Sequence, residues 1–424
     1  MSITAIVGIN WGDEGKGRMV DYLADHYDVV VRYQGGNNAG HTVVNDLGTF
    51  KLNLLPSGIF RPQTLNLLGV GVVIDLEHLC GEIKRAQDAG VSISPQNLRI
   101  SDRAMICMPF HRWQDRWEEE RLGAAKFGST MRGISPVYGD KAMKKSLQMG
   151  DLLYPASRDM HLERLVDWKN ALIRSAYHCD PIDLDEMKQW LDTYGEILKP
   201  YICDAGQVLA QAVAEKKSIL FEAQLGALRD LDYGIYPYTS SSSPLAAYAP
   251  MGSGLPSIKV EEVVGVVKAY STCVGEGPFV GELDDTQGER IREAGGEYGA
   301  ATGRPRRVAY MDVVATRHGV ELQGATQLAL TKLDVLSCLE EIPVCRAYRI
   351  DGKEVERFPY TPLLEQAEPV YDVLPGWHCD ISKVRQFQDL PKAAQDYVLY
   401  LENALACPIR YVSVGPAREE IIVR

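Results

Sequence analysis

The residues best suited to do chemistry stand close to the start of the chain. From Asn10 to Arg18 it reads Asn-Trp-Gly-Asp-Glu-Gly-Lys-Gly-Arg. Gly12, Gly15 and Gly17 permit a tight path and close backbone approach, and Lys16 supplies a mobile positive charge. An apolar, β-branched run over 3–9 leads in and a helical pattern over 19–27 leads out. Strand, glycine-rich turn and helix let backbone N–H groups and a helix N-terminus converge on an anion, usually a phosphate. The spacing is not the Walker pattern, which needs four residues between its first glycine and the Gly-Lys pair. A carboxylate, Asp13, sits inside the cradle instead, where it can ligate Mg²⁺ between phosphates or accept a proton from a substrate. A second glycine-rich turn, from Gln34 to Thr42, ends a second apolar strand and carries His41. A histidine there suits a general acid or a donor to a phosphate oxygen. Carboxylate and imidazole across a phosphate site suggest phosphoryl transfer, against the blander reading of two tight turns and a hydrogen-bonded histidine.

Two more groups could read a ligand. In Thr331-Lys332-Leu333-Asp334, an aspartate at a strand end can accept from both N1–H and N2–H of guanine. Adenine offers no such donor pair, and the lysine stem can lie along the base. The same residues also suit a plain helix N-cap. Arg304-Pro305-Arg306-Arg307 follows a glycine-bearing stretch, and arginines so placed suit bidentate capture of carboxylate or phosphate. Lys141, Lys144 and Lys145 form another basic cluster, equally readable as solvated surface.

The elements that must position these groups read as alternating strands and helices over 424 residues. A strand–helix–strand start implies parallel pairing and a sheet covered on both faces, with both glycine loops opening onto one crevice at the strand ends. A hairpin is expected around 46–48, a strand over 65–74, helices over 76–88 and 111–122, and two long helices within 161–217 broken at Pro181. Strands are expected at 218–222, 262–274, 307–311 and 409–414, with a helix over 391–406. The stretches 126–145, 233–256 and 275–305 read as long loops. One α/β domain spanning 1–424, with these loops and the helical segment as insertions, is the expected organisation. A formal charge of −12 argues against general nucleic-acid affinity. Nine scattered cysteines without a Cys-x-x-Cys pair argue for a reducing, cytoplasmic setting and against a zinc site. No apolar run is long enough for a membrane span.

Taken together the residues resemble the adenylosuccinate synthetase family, from the first strand to Arg418. The resemblance rests on Trp-Gly-Asp-Glu-Gly-Lys-Gly (11–17), Gln-Gly-Gly-Asn-Asn-Ala-Gly-His-Thr (34–42) and Leu-Pro-Ser-Gly-Ile (55–59). It continues through Arg132-Gly-Ile134 with Asp140-Lys141, Asp232 with Gly234 and Tyr236-Pro237, and Val274-Gly-Glu-Gly-Pro-Phe279. Gly299 with Thr302-Gly-Arg-Pro-Arg-Arg307, Lys332-Leu-Asp334 and Ser413-Val-Gly-Pro416 complete it in the family's order and spacing. The resemblance implies an α/β fold: a large mixed, mainly parallel central sheet flanked by helices, P-loop-NTPase-like, with hairpin and helical insertions. It implies GTP-dependent ligation of L-aspartate to IMP through a 6-phosphoryl intermediate, giving adenylosuccinate, GDP and phosphate.

By the same resemblance Asp13, His41 and Lys16 are catalytic, and Mg²⁺ is held by Asp13 and the Gly40 carbonyl. GTP falls to Gly12, Asp13, Glu14, Gly15, Lys16, Gly17, Arg18, Gly40, His41, Thr42 and Arg306, and its base to Lys332, Leu333, Asp334, Ser413, Val414 and Gly415. IMP falls to Asp13, Glu14, Gly15, Lys16, Asn38, Ala39, Gly40, His41, Thr130, Ser240, Arg304 and either Gln224 or Leu225. L-Aspartate falls to Ala300, Ala301, Thr302, Gly303, Arg304, Pro305 and Arg306. The family is homodimeric, and a basic residue matching Lys144 reaches the partner's IMP phosphate. This chain departs from the pattern at Arg18 (usually lysine), Asn53 (commonly histidine), Lys144 (arginine), Leu225 (glutamine), Ser240 and Ala301 (both threonine). Two rival readings are a 2-aminoadenylosuccinate synthetase acting on a guanine nucleotide, whose relatives lack the carboxylate at Asp13, and a guanine-nucleotide-binding regulator without ligase chemistry.

Overall fold

Strands that carry apolar residues on both faces need cover on both sides, and ten strands build one such sheet. The computed structural model describes residues 1–45, 47–298 and 305–424, with backbone only for Asp285. In chain order the sheet strands are β1 Ile3–Gly8, β2 Val29–Arg32, β3 Leu65–Leu68, β4 Leu98–Ser101, β5 Ile202–Cys203, β6 Ile219–Glu222, β7 Glu262–Lys268, β8 Gln327–Thr331, β9 Ile409–Ser413 and β10 Ile421–Val423. Their spatial order is β10-β9-β8-β7-β1-β6-β2-β3-β4-β5. All pairings are parallel except β9 with β10. Every residue of β1, β2 and β6 is buried.

Helices supply the cover. Ile83, Phe110, Leu162, Leu165 and Leu191 pack with Leu68, Leu98 and Ile100 in one apolar cluster. Val320, Tyr397 and Leu401 pack with Val267, Leu328, Leu330 and Val412 in another. A smaller sheet joins Met311–Asp312, Glu341–Ile350, Lys353–Val355 and Glu368–Pro375. The expected hairpin is present, His41–Asn45 against Gly48–Leu52, with His41 opposite Leu52.

Several expectations need correction. β1 and β2 are parallel, yet β6 lies between them, because a strand that arrives late in the chain inserts where no local signal announces it. The stretch 126–145 is not all loop: Ile134–Met143 is a helix whose only strongly apolar inward contacts are Ile134 and Val137. The stretch 275–305 contains the helix Asp285–Gly295, capped by Asp284 accepting from the Gln287 N–H. A short helix, Ala249–Ser253, interrupts 233–256. The helical insertion has three helices, Pro155–Leu172, Leu184–Leu198 and Ala205–Ala214, since Pro200 and the Asp204 cap divide the second. The strand expected over 262–274 is two: Ser271–Cys273 leaves the main sheet to pair with Arg307–Ala309. Likewise 65–74 divides into β3 and Val73–Ile74, and 307–311 divides at Tyr310.

Candidate active site

β1 ends at Gly8, and the chain turns through Asp13 (φ 59°) and Gly15 (φ 99°) before the helix Lys16–Leu23 begins. No side chain caps that helix at Gly15, so its first N–H groups are left for an anion. A non-glycine residue in the left-handed region is uncommon and tends to mark functional positions; Asp13, Leu225 and Lys332 all adopt it here. The loop is braced from within by Glu14, whose Oε1 accepts from the Asn10 N–H (3.1 Å) and the Gly12 N–H (2.8 Å). Its Oε2 pairs with Lys16 Nζ at 2.6 Å. Lys16 is therefore not the mobile charge expected: it is 3% exposed and ion-paired. Thr331 Oγ1, at the end of β8, donates to the Glu14 carbonyl at 2.7 Å.

His41 packs so closely over the helix start that a Cβ added to Gly17 would lie 2.7 Å from the His41 Cβ. The His41 Nδ1 is hydrogen-bonded to the Glu222 carboxylate at the end of β6. Glu222 also accepts from the Ser57 N–H (2.8 Å) and hydroxyl (2.7 Å). Burial lowers the His41 pKa, Arg32 and Lys16 lower it further, and Glu222 opposes them. The Glu222 carboxyl is held below its usual range, because His41, Arg32 and Ser57 outweigh the burial that would raise it. The sequence reading missed Glu222; its signal was a carboxylate ending a wholly apolar strand, a charge that needs partners when buried.

On the other flank Asp13 Oδ2 pairs with Arg306 Nη2 at 3.2 Å. The Arg306 Nη1 reaches Glu297 at 2.5 Å. Lys332 Nζ donates to the Gly295 carbonyl and stands 3.7 Å from Glu297. Asp334 follows in a short turn beside a cavity of about 440 Å³ that Gly415, Ala294 and Ser337 also line. Burial raises the Asp334 pKa against the pull of Lys332 and Arg18. Arg18 binds Ser413 Oγ and the Ala417 carbonyl, and reaches the Glu420 carbonyl at 3.3 Å. It thereby ties the guanine candidates Ser413, Val414 and Gly415 to the phosphate loop. Leu333 is fully buried.

The remaining candidates fall unevenly. Gln224 is fully buried and spends its amide on the Gly36 carbonyl (2.9 Å), the Ala39 carbonyl (3.1 Å) and the Gly36 N–H (3.1 Å). Leu225 is the half-buried one, packed by its backbone on Gly12. Asn38 accepts from the Gly36 N–H, and Asn53 donates to the Ala39 carbonyl at 2.9 Å. Ser240 lies 3.3 Å from Ser242, which reaches Gln34 and through it the Gln224 carbonyl. Thr42 is exposed on the hairpin. Thr130 and Lys144 are also exposed, and neither touches the phosphate loop through a hydrogen bond. Lys144 closes the helix Ile134–Met143 in the left-handed region. That helix is docked on the second glycine loop by Tyr138, which accepts from the Gly35 N–H at 3.0 Å. Pro305 bridges Tyr298; Ala300, Ala301, Thr302, Gly303 and Arg304 lie outside the described residues. Among those described, no cluster of three or more acidic, histidine or cysteine ligands could hold a metal. The hard-oxygen pair of the Asp13 carboxylate and the Gly40 carbonyl fits Mg²⁺, which takes few protein ligands and completes its shell with phosphate oxygens and water.

The family model for adenylosuccinate synthetase matches residues 5–422. The adenylosuccinate synthetase of Halothermothrix orenii is 45% identical over 425 residues, covering 100% of this chain and 99% of the relative. Adenylosuccinate synthetase 2 of Pseudoalteromonas translucida is 48% identical over 429 residues, covering both chains fully. A solved structure of the fully ligated adenylosuccinate synthetase from Plasmodium falciparum superposes with a TM-score of 0.93 at 34% identity, over 100% of each chain. A cyanophage S-2L succinoaminodeoxyadenylate synthetase bound to dGMP and dATP gives a TM-score of 0.62 at 18% identity, covering 100% of this chain and 95% of that one. That last likeness is one of fold.

Proposed function

The chain belongs to the adenylosuccinate synthetase family, and from that premise we infer that Asp13 and His41 carry its chemistry on GTP, IMP and L-aspartate. The family's reaction is ligation with formation of a C–N bond. Asp13 takes the N1 proton of IMP, and the purine O6 attacks the γ-phosphorus of GTP. His41 eases the transfer from the opposite side of the helix start. The 6-phosphoryl group then leaves as phosphate when the aspartate amine attacks C6. Mg²⁺, when bound beside Asp13 and Gly40, supplies neutralisation of triphosphate charge.

The observation that carries this reading is the flanking of one uncapped helix N-terminus by two ionisable groups, each with its own partner. His41 is fixed by Glu222 through Nδ1, which leaves Nε2 for the phosphoryl group. Burial near Arg32 and Lys16 favours the neutral ring, and an arriving triphosphate supplies the negative charge that favours the imidazolium needed for a general acid. Asp13 is paired with Arg306. A substrate carboxylate or phosphate that draws Arg306 away frees Asp13 to act as the base. Asp334 and the Ser413–Gly415 turn read guanine, and Asn38, Ala39 and Gly40 with Ser240 face IMP.

The homodimer, with Lys144 reaching the partner's IMP phosphate, belongs to the same reading. So does a cytoplasmic setting, which suits the free cysteines; no helix among the described residues is long and apolar enough to cross a membrane. The test is turnover with each of GTP, IMP and L-aspartate omitted in turn, and with dGMP in place of IMP. Formation of a new purine absorbance only with all three substrates, and not with dGMP, is expected. GTP hydrolysis without a new purine would leave a regulator as the better reading.

A further inference from the structure

Glu297 lies just beyond the helix Asp285–Gly295 and is completely buried. Burying a carboxylate is costly unless it is paired and hydrogen-bonded, and this one has four partners from three parts of the chain. Lys268 Nζ, at the end of β7, lies 2.9 Å from both carboxylate oxygens. The Tyr270 hydroxyl donates to Oε1 at 2.6 Å. Arg306 Nη1 donates to Oε2 at 2.5 Å, and the Arg306 N–H donates to the Glu297 carbonyl at 2.9 Å. Lys332 completes the set at 3.7 Å, its ammonium also held by the Gly295 carbonyl at the helix's last turn. One anion thus stands among three cations.

Two of those cations face different ligands in the reading given above. Arg306 would meet the aspartate carboxylate and the γ-phosphate, while the Lys332 stem would lie along guanine. We propose that Glu297 is a positioning residue that fixes Arg306 and the Lys332 ammonium on one post, joining the guanine end of the site to the end that receives L-aspartate. The inference rests on the functional reading above for the identity of the ligands. Lys268 and Tyr270, both buried, serve to aim the carboxylate. Without its charge, Lys268, Arg306 and Lys332 repel one another, Arg306 is left to Asp13 alone, and the Lys332 stem loses its anchor.

The test uses full-length Glu297→Gln and Tyr270→Phe, the second removing one hydroxyl and keeping every charge. Glu297→Gln is expected to raise KM for GTP and for L-aspartate together by about tenfold, within the range usual for coupled sites. KM for IMP stays within about twofold. Tyr270→Phe shifts the same two constants in the same direction by less. Binding of a fluorescent guanosine diphosphate without other substrates should weaken in parallel, a readout that does not need turnover. Equal rises in all three KM values, or unchanged GTP and aspartate constants in folded variants, would overturn the proposal. Should Glu297→Gln fail to fold, Tyr270→Phe decides. Wild-type turnover is measured first, so that absence of ligase activity counts against the functional reading, while the diphosphate comparison still tests the post.

Discussion

His41 and Asp334 are each governed by what burial does to a charged side chain. For His41, burial, Arg32 and Lys16 all disfavour the imidazolium, and only Glu222 favours it. Replacing Glu222 with glutamine removes that support and leaves the ring free to take either tautomer. The His41 pKa then falls further, so the alkaline limb of kcat, where a general acid loses its proton, moves to lower pH. The rate itself should fall by about 10²-fold, as for loss of general acid catalysis, with KM for IMP little changed. A kcat profile whose alkaline limb stays put would remove Glu222 from the mechanism. His41→Asn and Asp13→Asn should abolish turnover while leaving the chain folded, as read from circular dichroism. If Asp334 reads guanine as proposed, Asp334→Asn removes the anion that would accept from two donors of the base. Discrimination of GTP against ATP should shrink by at least about tenfold, as read from the ratio of kcat/KM values; an unchanged ratio would assign the base elsewhere. These candidates stood out in the sequence because glycines and charges come together there in short loops. Glu222 and Glu297 did not, since Glu222 meets His41 and Ser57 from 181 and 165 residues away and Glu297 gathers Lys268 from 29 residues before it with Arg306 from 9 after it.

Elements hold those residues in place, and the helix Val313–Gln323 shows how. It lies under the phosphate loop: Thr316 accepts from Asn10 Nδ2 at 3.0 Å, and a Cβ on Gly319 would fall 2.0 Å from the Ile9 carbonyl oxygen. Asp312 caps it by accepting from the Ala315 N–H (2.9 Å) and receives the Tyr348 hydroxyl at 2.5 Å from the smaller sheet. Burial pushes the Asp312 carboxyl up to about 6 from an ordinary 3.8, although Tyr348 and the backbone N–H groups pull it down. Because the folded value is the higher, folding favours the protonated form. This group's contribution is full below the unfolded value and is lost as pH rises through the folded one. Asparagine caps as well as aspartate and carries no charge to bury. Asp312→Asn should therefore stabilise the protein by roughly 1–3 kcal/mol at pH 8 and by less at pH 5, read from urea midpoints; equal shifts at both pH values would exclude the linkage. Caps also explain which helices the sequence concealed. Asp284 with Gln287 and Asp204 with Gln207 share one Asp-x-x-Gln pattern, a usable start signal. The helix Ile134–Met143 has no capping side chain and little apolar periodicity, so nothing in it stood out against a loop.

Across the whole molecule the site is a row of strand ends. Ser413, Lys332, Lys268, the Asp13 loop, Glu222 and Gln34 stand at or just beyond the carboxyl ends of β9, β8, β7, β1, β6 and β2 in their spatial order. Five spacings of about 4.8 Å make roughly 24 Å, enough to lay a guanine nucleotide end to end with a second nucleotide at the carboxyl ends of parallel strands. The sequence revealed the strands but not this order, because β6 enters between β1 and β2 from nearly two hundred residues away. At the far end of the row, the helix Ile134–Met143 is fastened to the second glycine loop by Tyr138 and to the serine-rich segment by Ser135, which accepts from Ser241 at 2.8 Å. It ends on exposed Met143 and Lys144, with Phe127 and Met131 also exposed nearby in sequence. Apolar side chains left bare beside a lysine suit an isologous face, on which each subunit lends what the other lacks. If Lys144 serves the partner's site, Lys144→Ala and Asp13→Asn are each inactive as pure dimers, and a mixed dimer carries one site with an intact Asp13 and the partner's intact Lys144. Mixing the two variants in equal amounts should then restore about a quarter of wild-type activity by random assortment. Lysine is a point charge where arginine offers a fork, so Lys144→Arg should lower KM for IMP. A mixture as inactive as its components would confine Lys144 to its own subunit.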